Sequence, residues 1–419
     1  MTQASLILRR LRAWTPTGTS APMDLAVVDG KFAALTPGMK AEREIDADGR
    51  IAVPGLIEPH IHLDKALILE SVRPNVSGTL PEAIEIIWER KRGYTVEEIA
   101  ARAARVMATA VDNGITHIRT HVDVDTIGGL RPLLGVAEAA RRMAGLVDVQ
   151  IVAFPQEGIL RDPGTEKLMW EAMEAGAHVV GGMPFNEASP ADSARHIDIA
   201  FEIAKKYDAD IDMHVDETDN PDARTLDMLA ERTLKHGWQG RVTAGHTCAL
   251  AGYPDDYAAM VMDKAVRAGI HVITNPATNL MLQGRLDKNP RRRGITRVRE
   301  WLALGANVSF GQDCVKDTFY PFGQNDMLEV ALITAHAAHL SMPDQIEQVF
   351  AMPTFNAAKV LRLQGYGLAP GNPANVVVLE ADSAAEAIRT RLPRRCVVRN
   401  GRLLAEASVT RTRHFSVPA

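Results

Sequence analysis

The chain has 419 residues and a mass of 45.6 kDa, enough for one large domain and a smaller one. Its net charge of −5 gives no reason to expect nucleic acid or a membrane surface as a partner. The three cysteines lie too far apart to suggest a disulfide framework or a cysteine-rich zinc site, and no apolar run reaches membrane-spanning length, so we expect a cytoplasmic protein.

Both ends of the chain show β-like patterning. Short apolar runs bounded by Pro, Gly and Asp-Gly turn signals occur at 5–8, 25–28, 32–35, 375–379 and 396–404. Within the last run, Asn400-Gly401 predicts a hairpin turn. We therefore expect residues 1–52 and 366–419 to form one small β-sandwich domain.

Residues 53–365 alternate between apolar strands and amphipathic helices, which is typical of parallel βαβ units. The predicted strands are 51–58, 115–123, 148–154, 177–183, 209–215, 241–246, 269–275 and 306–313. Eight such units predict a (β/α)₈ TIM barrel with its chemistry at the carboxyl ends of the strands. A doubly wound open sheet is the alternative, but no G-x-G-x-x-G sequence follows any of these strands.

Histidine and aspartate residues at the predicted strand ends indicate a metal site. His60 and His62 are two residues apart on the first strand and therefore face the same side. With His214 from the fifth strand and Asp313 from the eighth, they supply the nitrogen and oxygen ligands of a catalytic divalent metal ion. The fourth strand carries no lysine that could be carboxylated to bridge two metals, so we expect one ion per subunit.

Three of the residues at these strand ends can move protons. Glu217 follows His214 in the strand-to-loop transition and is a candidate shuttle from water to a ring nitrogen. His246, at the end of the sixth strand, can hydrogen-bond the reacting water, and Asp313 can accept its proton as well as bind the metal. These roles predict hydrolysis.

The sequence resembles the amidohydrolase superfamily and, within it, bacterial cytosine deaminases over about residues 50–380. The matching stretches are 58–64 (Glu-Pro-His-Ile-His-Leu-Asp), 77–80 (Ser-Gly-Thr-Leu), 120–124 (Thr-His-Val-Asp-Val), 150–160 with its Phe-Pro-Gln-Glu-Gly block, 282–285 (Leu-Gln-Gly-Arg) and 291–298. The resemblance implies Fe²⁺ or Zn²⁺ as the metal, a free pyrimidine base as the substrate and a homo-oligomeric enzyme. It also implies that the Gln156 side chain and the backbone carbonyl of Leu80 bind the base.

One departure from the family bears on specificity. The family's His-Asp-Asp is Gln312-Asp313-Cys314 here, so an uncharged thiol replaces a carboxylate that lines the pocket. We expect this pocket to accept 5-methylcytosine better than cytosine. Deamination or hydrolysis of another small nitrogen heterocycle, such as a triazine, a purine or a creatinine-like ring, is the alternative. A catalytically silent barrel is a third possibility, but it would lack a ligand or an acid.

Overall fold

The computed structural model describes residues 3–415, whose strands form two sheets. The amino-terminal strands are β1 (Ala4–Thr15), β2 (Gly18–Thr19), β3 (Met23–Val28), β4 (Lys31–Ala33), β5 (Ala41–Asp46) and β6 (Ile51–Pro54). Eight parallel strands follow: β7 (Leu56–Ile61), β8 (Ile115–Asp123), β9 (Asp148–Phe154), β10 (Val179–Gly182), β11 (Asp210–Val215), β12 (Val242–His246), β13 (His271–Thr274) and β14 (Val308–Phe310). The carboxyl-terminal strands are β15 (Val376–Val378), β16 (Cys396–Arg399) and β17 (Arg402–Glu406).

Helices lie between the parallel strands and continue after the last of them. They are α1 (Leu80–Lys91), α2 (Val96–Asp112), α3 (Arg131–Arg142), α4 (Thr165–Glu174), α5 (Pro190–Tyr207), α6 (Thr225–His236), α7 (Asp255–Arg267), α8 (Pro276–Leu282), α9 (Val298–Ala303), α10 (Met327–Ala337), α11 (Pro343–Ala351), α12 (Ala357–Val360) and α13 (Ala384–Thr390). The first two begin at threonine N-caps, Thr79 and Thr95, whose side chains accept backbone N–H groups. None of the helices described is long and apolar enough to cross a bilayer.

The parallel strands pair in sequence order from β7 to β14, and a bridge between Ile61 and Asp313 joins the two outer strands. This closure confirms the predicted TIM barrel. The second sheet has the order β17-β16-β15-β6-β1-β3-β4, with β2 and β5 also paired to β1, so both chain ends contribute to it as predicted. The Asn400-Gly401 turn joins β16 to β17, with positive φ angles of 46° and 76°.

The first predicted strand, 51–58, is divided between the two sheets. Ile51–Pro54 pairs with β1 and β15, whereas Leu56–Ile61 begins the barrel. Gly55 lies at the junction, where a β-carbon would come within 2.3 Å of the Thr116 hydroxyl. β6 therefore crosses the boundary that we proposed between residues 52 and 53, and the division of the chain into domains stays a prediction.

Candidate metal and substrate site

Barrel closure brings the ends of the first and last strands together. The His62 amide donates to the Asp313 carbonyl at 2.9 Å, and the Asp313 amide donates to the His60 carbonyl at 2.8 Å. Residues separated by about 250 positions are thus held by backbone hydrogen bonds, independently of their side chains. Asp313 has a φ of 66°, a left-handed conformation that occurs at the turn leaving β14.

A buried carboxylate beneath this junction holds both strand ends. Glu58 accepts the amide of His60 at 2.9 Å and the amide of Gln312 at 3.0 Å. The Gln312 side chain accepts the Asn325 amide at 3.2 Å and does not line the cavity described below. Glu58 and Gln312 therefore support the site from outside it, a role that the sequence pattern did not indicate.

The four predicted metal ligands come together. Ligand atoms of His60, His214, His246 and Asp313 all lie within 4.8 Å of one another, and all four residues are buried. His62 joins them, with its Nε2 3.0 Å from His214 Nε2 and 3.4 Å from Asp313 Oδ1. The structure thus groups the residues named from the sequence, and it adds His246 as a neighbour close enough to be a further ligand.

The chemistry of this cluster fits a divalent cation. Within residues 3–415, both ring nitrogens of His60, and Nδ1 of His62 and of His214, are buried without a hydrogen-bond partner. Buried polar atoms without partners are costly, and a metal ion satisfies such nitrogens. Burial, helped by the nearby charge of Lys65, lowers the pKa of His62 to about 3, and burial lowers the pKa of His214 well below its usual value. Neutral imidazoles are the form that binds metals.

A second group of His60, His121 and Asp212 lies deeper in the barrel. Arg119 donates to Asp212 Oδ2 at 2.9 Å, so the carboxylate already has a buried cationic partner. A further cation beside this guanidinium would be repelled. The arrangement favours our expectation of one ion per subunit.

Glu217 lies beside the metal cluster in a small hydrogen-bonded group. Its Oε1 is 3.2 Å from His246 Nδ1, and Asn279 Nδ2 reaches both residues, at 3.2 Å from Glu217 and 3.1 Å from His246. Asn275 Nδ2 lies 3.1 Å from His246 Nε2. Burial raises the pKa of Glu217 well above its usual value, and the Asp313 carboxylate raises it further. This carboxyl group can therefore hold a proton next to the cluster.

A narrow cavity opens from the cluster towards the barrel mouth. It is lined by His62, Lys65, Leu80, Ile84, Phe154, Gln156, Met183, His214, Glu217, Thr278, Asp313, Cys314 and Phe319. The three residues expected to bind substrate, Gln156, Leu80 and Cys314, are all among them. Phe154 stacks on His214 with ring centroids 4.1 Å apart, which gives the cavity an aromatic wall.

Two residues of the site were missed at the sequence level. Lys65 directly follows the His-x-His-Leu-Asp run, and its ammonium group is buried in the cavity wall. Asn279, in α8, lies four residues beyond Asn275, the residue just before that helix, and this i,i+4 spacing was the available signal. A buried lysine has no comparable signal, because its partners belong to other strands.

Comparison with known proteins gives matches over most of the chain. Residues 78–405 match the amidohydrolase family. The crystal structure of 5-methylcytosine deaminase from Klebsiella pneumoniae with 5-fluorocytosine superposes with a TM-score of 0.92 at 36% identity, covering 97% of this chain and 99% of that one.

Two curated relatives are also similar over most of the chain. An N-isopropylammelide isopropyl amidohydrolase from Pseudomonas sp. (strain ADP) is 29% identical, over 87% of this chain and 89% of its own length. A pterin deaminase from Rhizobium rhizogenes is 30% identical, over 91% and 87%. Because the family match covers most of the chain, the possibility of a catalytically silent barrel is not supported. This chain belongs to the amidohydrolase family and is a hydrolytic enzyme with a histidine and aspartate cluster able to bind a metal ion.

Proposed function

We propose that this enzyme hydrolyses the exocyclic amine of a free cytosine-type base, cytosine or 5-methylcytosine, to give the uracil or thymine analogue and ammonia. One observation carries the proposal: a single cavity is lined by His62, His214 and Asp313 of the metal cluster and also by Glu217 and Gln156. The similarity to 5-methylcytosine deaminase over nearly the whole chain supports this ring class.

His60, His62, His214 and Asp313 would hold the ion, for which we propose Fe²⁺ or Zn²⁺. When bound, such an ion would lower the pKa of water to about 7 and so supply a nucleophile at neutral pH. The carboxylate of Asp313, within 3.6 Å of His60 Nε2, accepts the proton that the attacking water loses. Asp313 would thus serve both as one of the metal ligands and as the base.

Glu217 makes the ring carbon electrophilic. Its protonated carboxyl group donates to N3 while water adds to C4, so the carbon becomes tetrahedral without a negative charge building up on the ring. The proton held by Asp313 then passes to the exocyclic nitrogen, and the C4–N bond breaks so that ammonia leaves. The C4 hydroxyl becomes the carbonyl of the product by giving its proton to the Glu217 carboxylate, which restores the acid. Asn279 and His246 keep the Glu217 carboxyl group in place through the contacts described above.

Cys314 is the residue to which we assign contact with the ring and its C5 substituent. Cys314 lines the cavity and is only 3% exposed, and burial raises the pKa of its thiol well above its usual value. A neutral thiol is a weak nucleophile and a good apolar neighbour. We therefore assign Cys314 to packing against the substrate, in the position where the related cytosine deaminases have a carboxylate.

We expect kcat/KM for 5-methylcytosine to exceed that for cytosine by about 10-fold, because one methyl in an apolar pocket contributes about 1–3 kcal/mol to discrimination. Ammonia release from both bases measures the ratio. The Cys314→Asp variant should shift the ratio towards cytosine, and Cys314→Ala serves as the matched control that removes the sulfur without adding charge. A wild-type enzyme that clearly prefers cytosine would contradict the specificity, and release of ammonia from neither base would contradict the function.

Another heterocycle remains the second candidate. The inner cavity adjoins a wider outer cavity lined in part by Trp88, Phe185 and Leu282. The two cavities share Leu80, Ile84, Met183 and Glu217. This outer space favours a ring with a bulkier substituent or a second fused ring, and the N-isopropylammelide and pterin relatives make such compounds the natural comparison. Ammonia or amine release from a panel of triazines, purines and pterins decides between such a ring and a cytosine-type base.

A homo-oligomeric state and a cytoplasmic location stay predictions.

A further inference from the structure

Lys65 lines the inner cavity and has an unused hydrogen-bond donor. Its ammonium group donates to Asp123 Oδ1 at 2.6 Å and to Gln156 Oε1 at 2.5 Å. An ammonium group carries three N–H donors, and no acceptor for the third is found among residues 3–415. The rings of Phe154 and Phe319 flank it, with centroids 5.6 and 5.7 Å away. The third donor is therefore left for a ligand in the cavity.

The same contact fixes which way the Gln156 amide points. Its oxygen faces the ammonium group, so its Nε2 faces the other way and is buried without a partner in the described residues. The reversed amide would place two donors 2.5 Å apart and is excluded. Gln156 and Lys65 together form a wall whose unsatisfied groups are both donors.

The charge of Lys65 is already balanced. Asp123 lies between Lys65 and a second buried lysine, Lys91, at 2.6 Å from each, and Lys91 also contacts Asp125 at 2.6 Å. The Asp123 amide donates to Asp64 at 3.1 Å, which puts another carboxylate nearby. The wall thus offers hydrogen bonds without excess positive charge, which suits a neutral carbonyl oxygen better than a carboxylate.

We propose that Lys65 is a substrate-contacting residue that, with Gln156, selects rings carrying a carbonyl oxygen next to N3 and rejects rings carrying an amino group there. The inference rests on the proposed function, because it places the amine-bearing carbon at the metal cluster and N3 at Glu217. Cytosine and 5-methylcytosine have the required 2-oxo group. A 2-amino ring would set donor against donor in a buried site, and such mismatches are among the most strongly rejected.

The test compares two rings with the same 4-amine, cytosine and 2,4-diaminopyrimidine, at a pH where both are neutral. Wild-type enzyme should prefer cytosine by about 10³-fold or more in kcat/KM. Lys65→Met, which keeps the length of the side chain and removes the donor, should reduce the ratio to about 10-fold, with Lys65→Gln in between. Lys91→Met is the matched control, since it also removes a partner of Asp123 but does not line the inner cavity, and it should keep the ratio.

A binding measurement covers the case in which the Lys65 variants do not fold. Calorimetry on wild-type enzyme should show pyrimidin-2-one binding at least about 100-fold more tightly than 2-aminopyrimidine. Equal affinities, or an active Lys65→Met variant with an unchanged ratio, would overturn the assignment. Failure to release ammonia from any cytosine would instead contradict the proposed function, so the two failures are distinguishable.

Discussion

The Glu217→Gln variant is expected to lose about 10³-fold or more in kcat while keeping its metal. The amide has nearly the same shape as the acid and can keep its contact with Asn279, but it cannot deliver a proton to N3. Because Glu217 is not among the grouped ligand atoms, metal content should not change. Steady-state ammonia release and metal analysis of the same sample check both parts.

Asp219→Asn is the matched control for that experiment. Asp219 lies two residues beyond Glu217, and its carboxylate accepts the Gly284 amide at 2.9 Å, so the variant perturbs the same loop without touching the proposed proton path. We expect it to keep most of the activity. Turnover retained in Glu217→Gln, or an equal loss in both variants, would refute the role of Glu217.

Asp313→Asn is expected to show the largest loss, about 10⁴-fold in kcat, because one residue supplies both a metal ligand and the base for water. Its Oδ1 lies 3.4 Å from His62 Nε2 and 3.6 Å from His60 Nε2, so its charge also acts on two other ligands. Metal occupancy should fall in parallel. Kinetics and metal content, measured before and after adding metal, separate the two contributions.

Asp317 offers a closely matched control for Asp313. It is also buried on the loop after β14, and burial raises its pKa to about 7, so near neutrality much of it is already uncharged. Its Oδ1 accepts the amides of Phe319 and Tyr320, which an asparagine oxygen can also accept. Asp317→Asn should therefore remain active, and a loss as large as that of Asp313→Asn would point to a collapsed loop instead of lost chemistry.

Much of the fold follows from local periodicity. β8 and β9 have the bounds expected from the sequence, because their apolar and β-branched residues end at clear polar or proline boundaries. The first predicted strand does not have the expected bounds, because one continuous apolar run supplies strands to two different sheets. What divides it is the close approach of Gly55 to Thr116, a contact between distant parts of the chain that no local pattern records.

The same distinction applies to the site. His60, His62, His214 and Asp313 could be named because a barrel brings strand ends together whatever the intervening sequence. Lys65 could not be named from the sequence. A lysine is stable in a buried cavity wall only when carboxylates lie around it, and its partner Asp123 comes from a different strand. Burial lowers its pKa, but Asp123 and Asp64 more than offset that effect and leave the pKa above its usual value.

The most direct test of the whole account is the metal content of the purified enzyme, measured together with ammonia release from 5-methylcytosine. We predict about one Fe²⁺ or Zn²⁺ per chain, loss of activity when a chelator removes it, and recovery when either ion is returned. A double variant, His60→Ala with His214→Ala, should bind no metal at this site. Full activity in metal-free protein, or unchanged occupancy in that variant, would contradict the claim that these strand ends hold the catalytic ion.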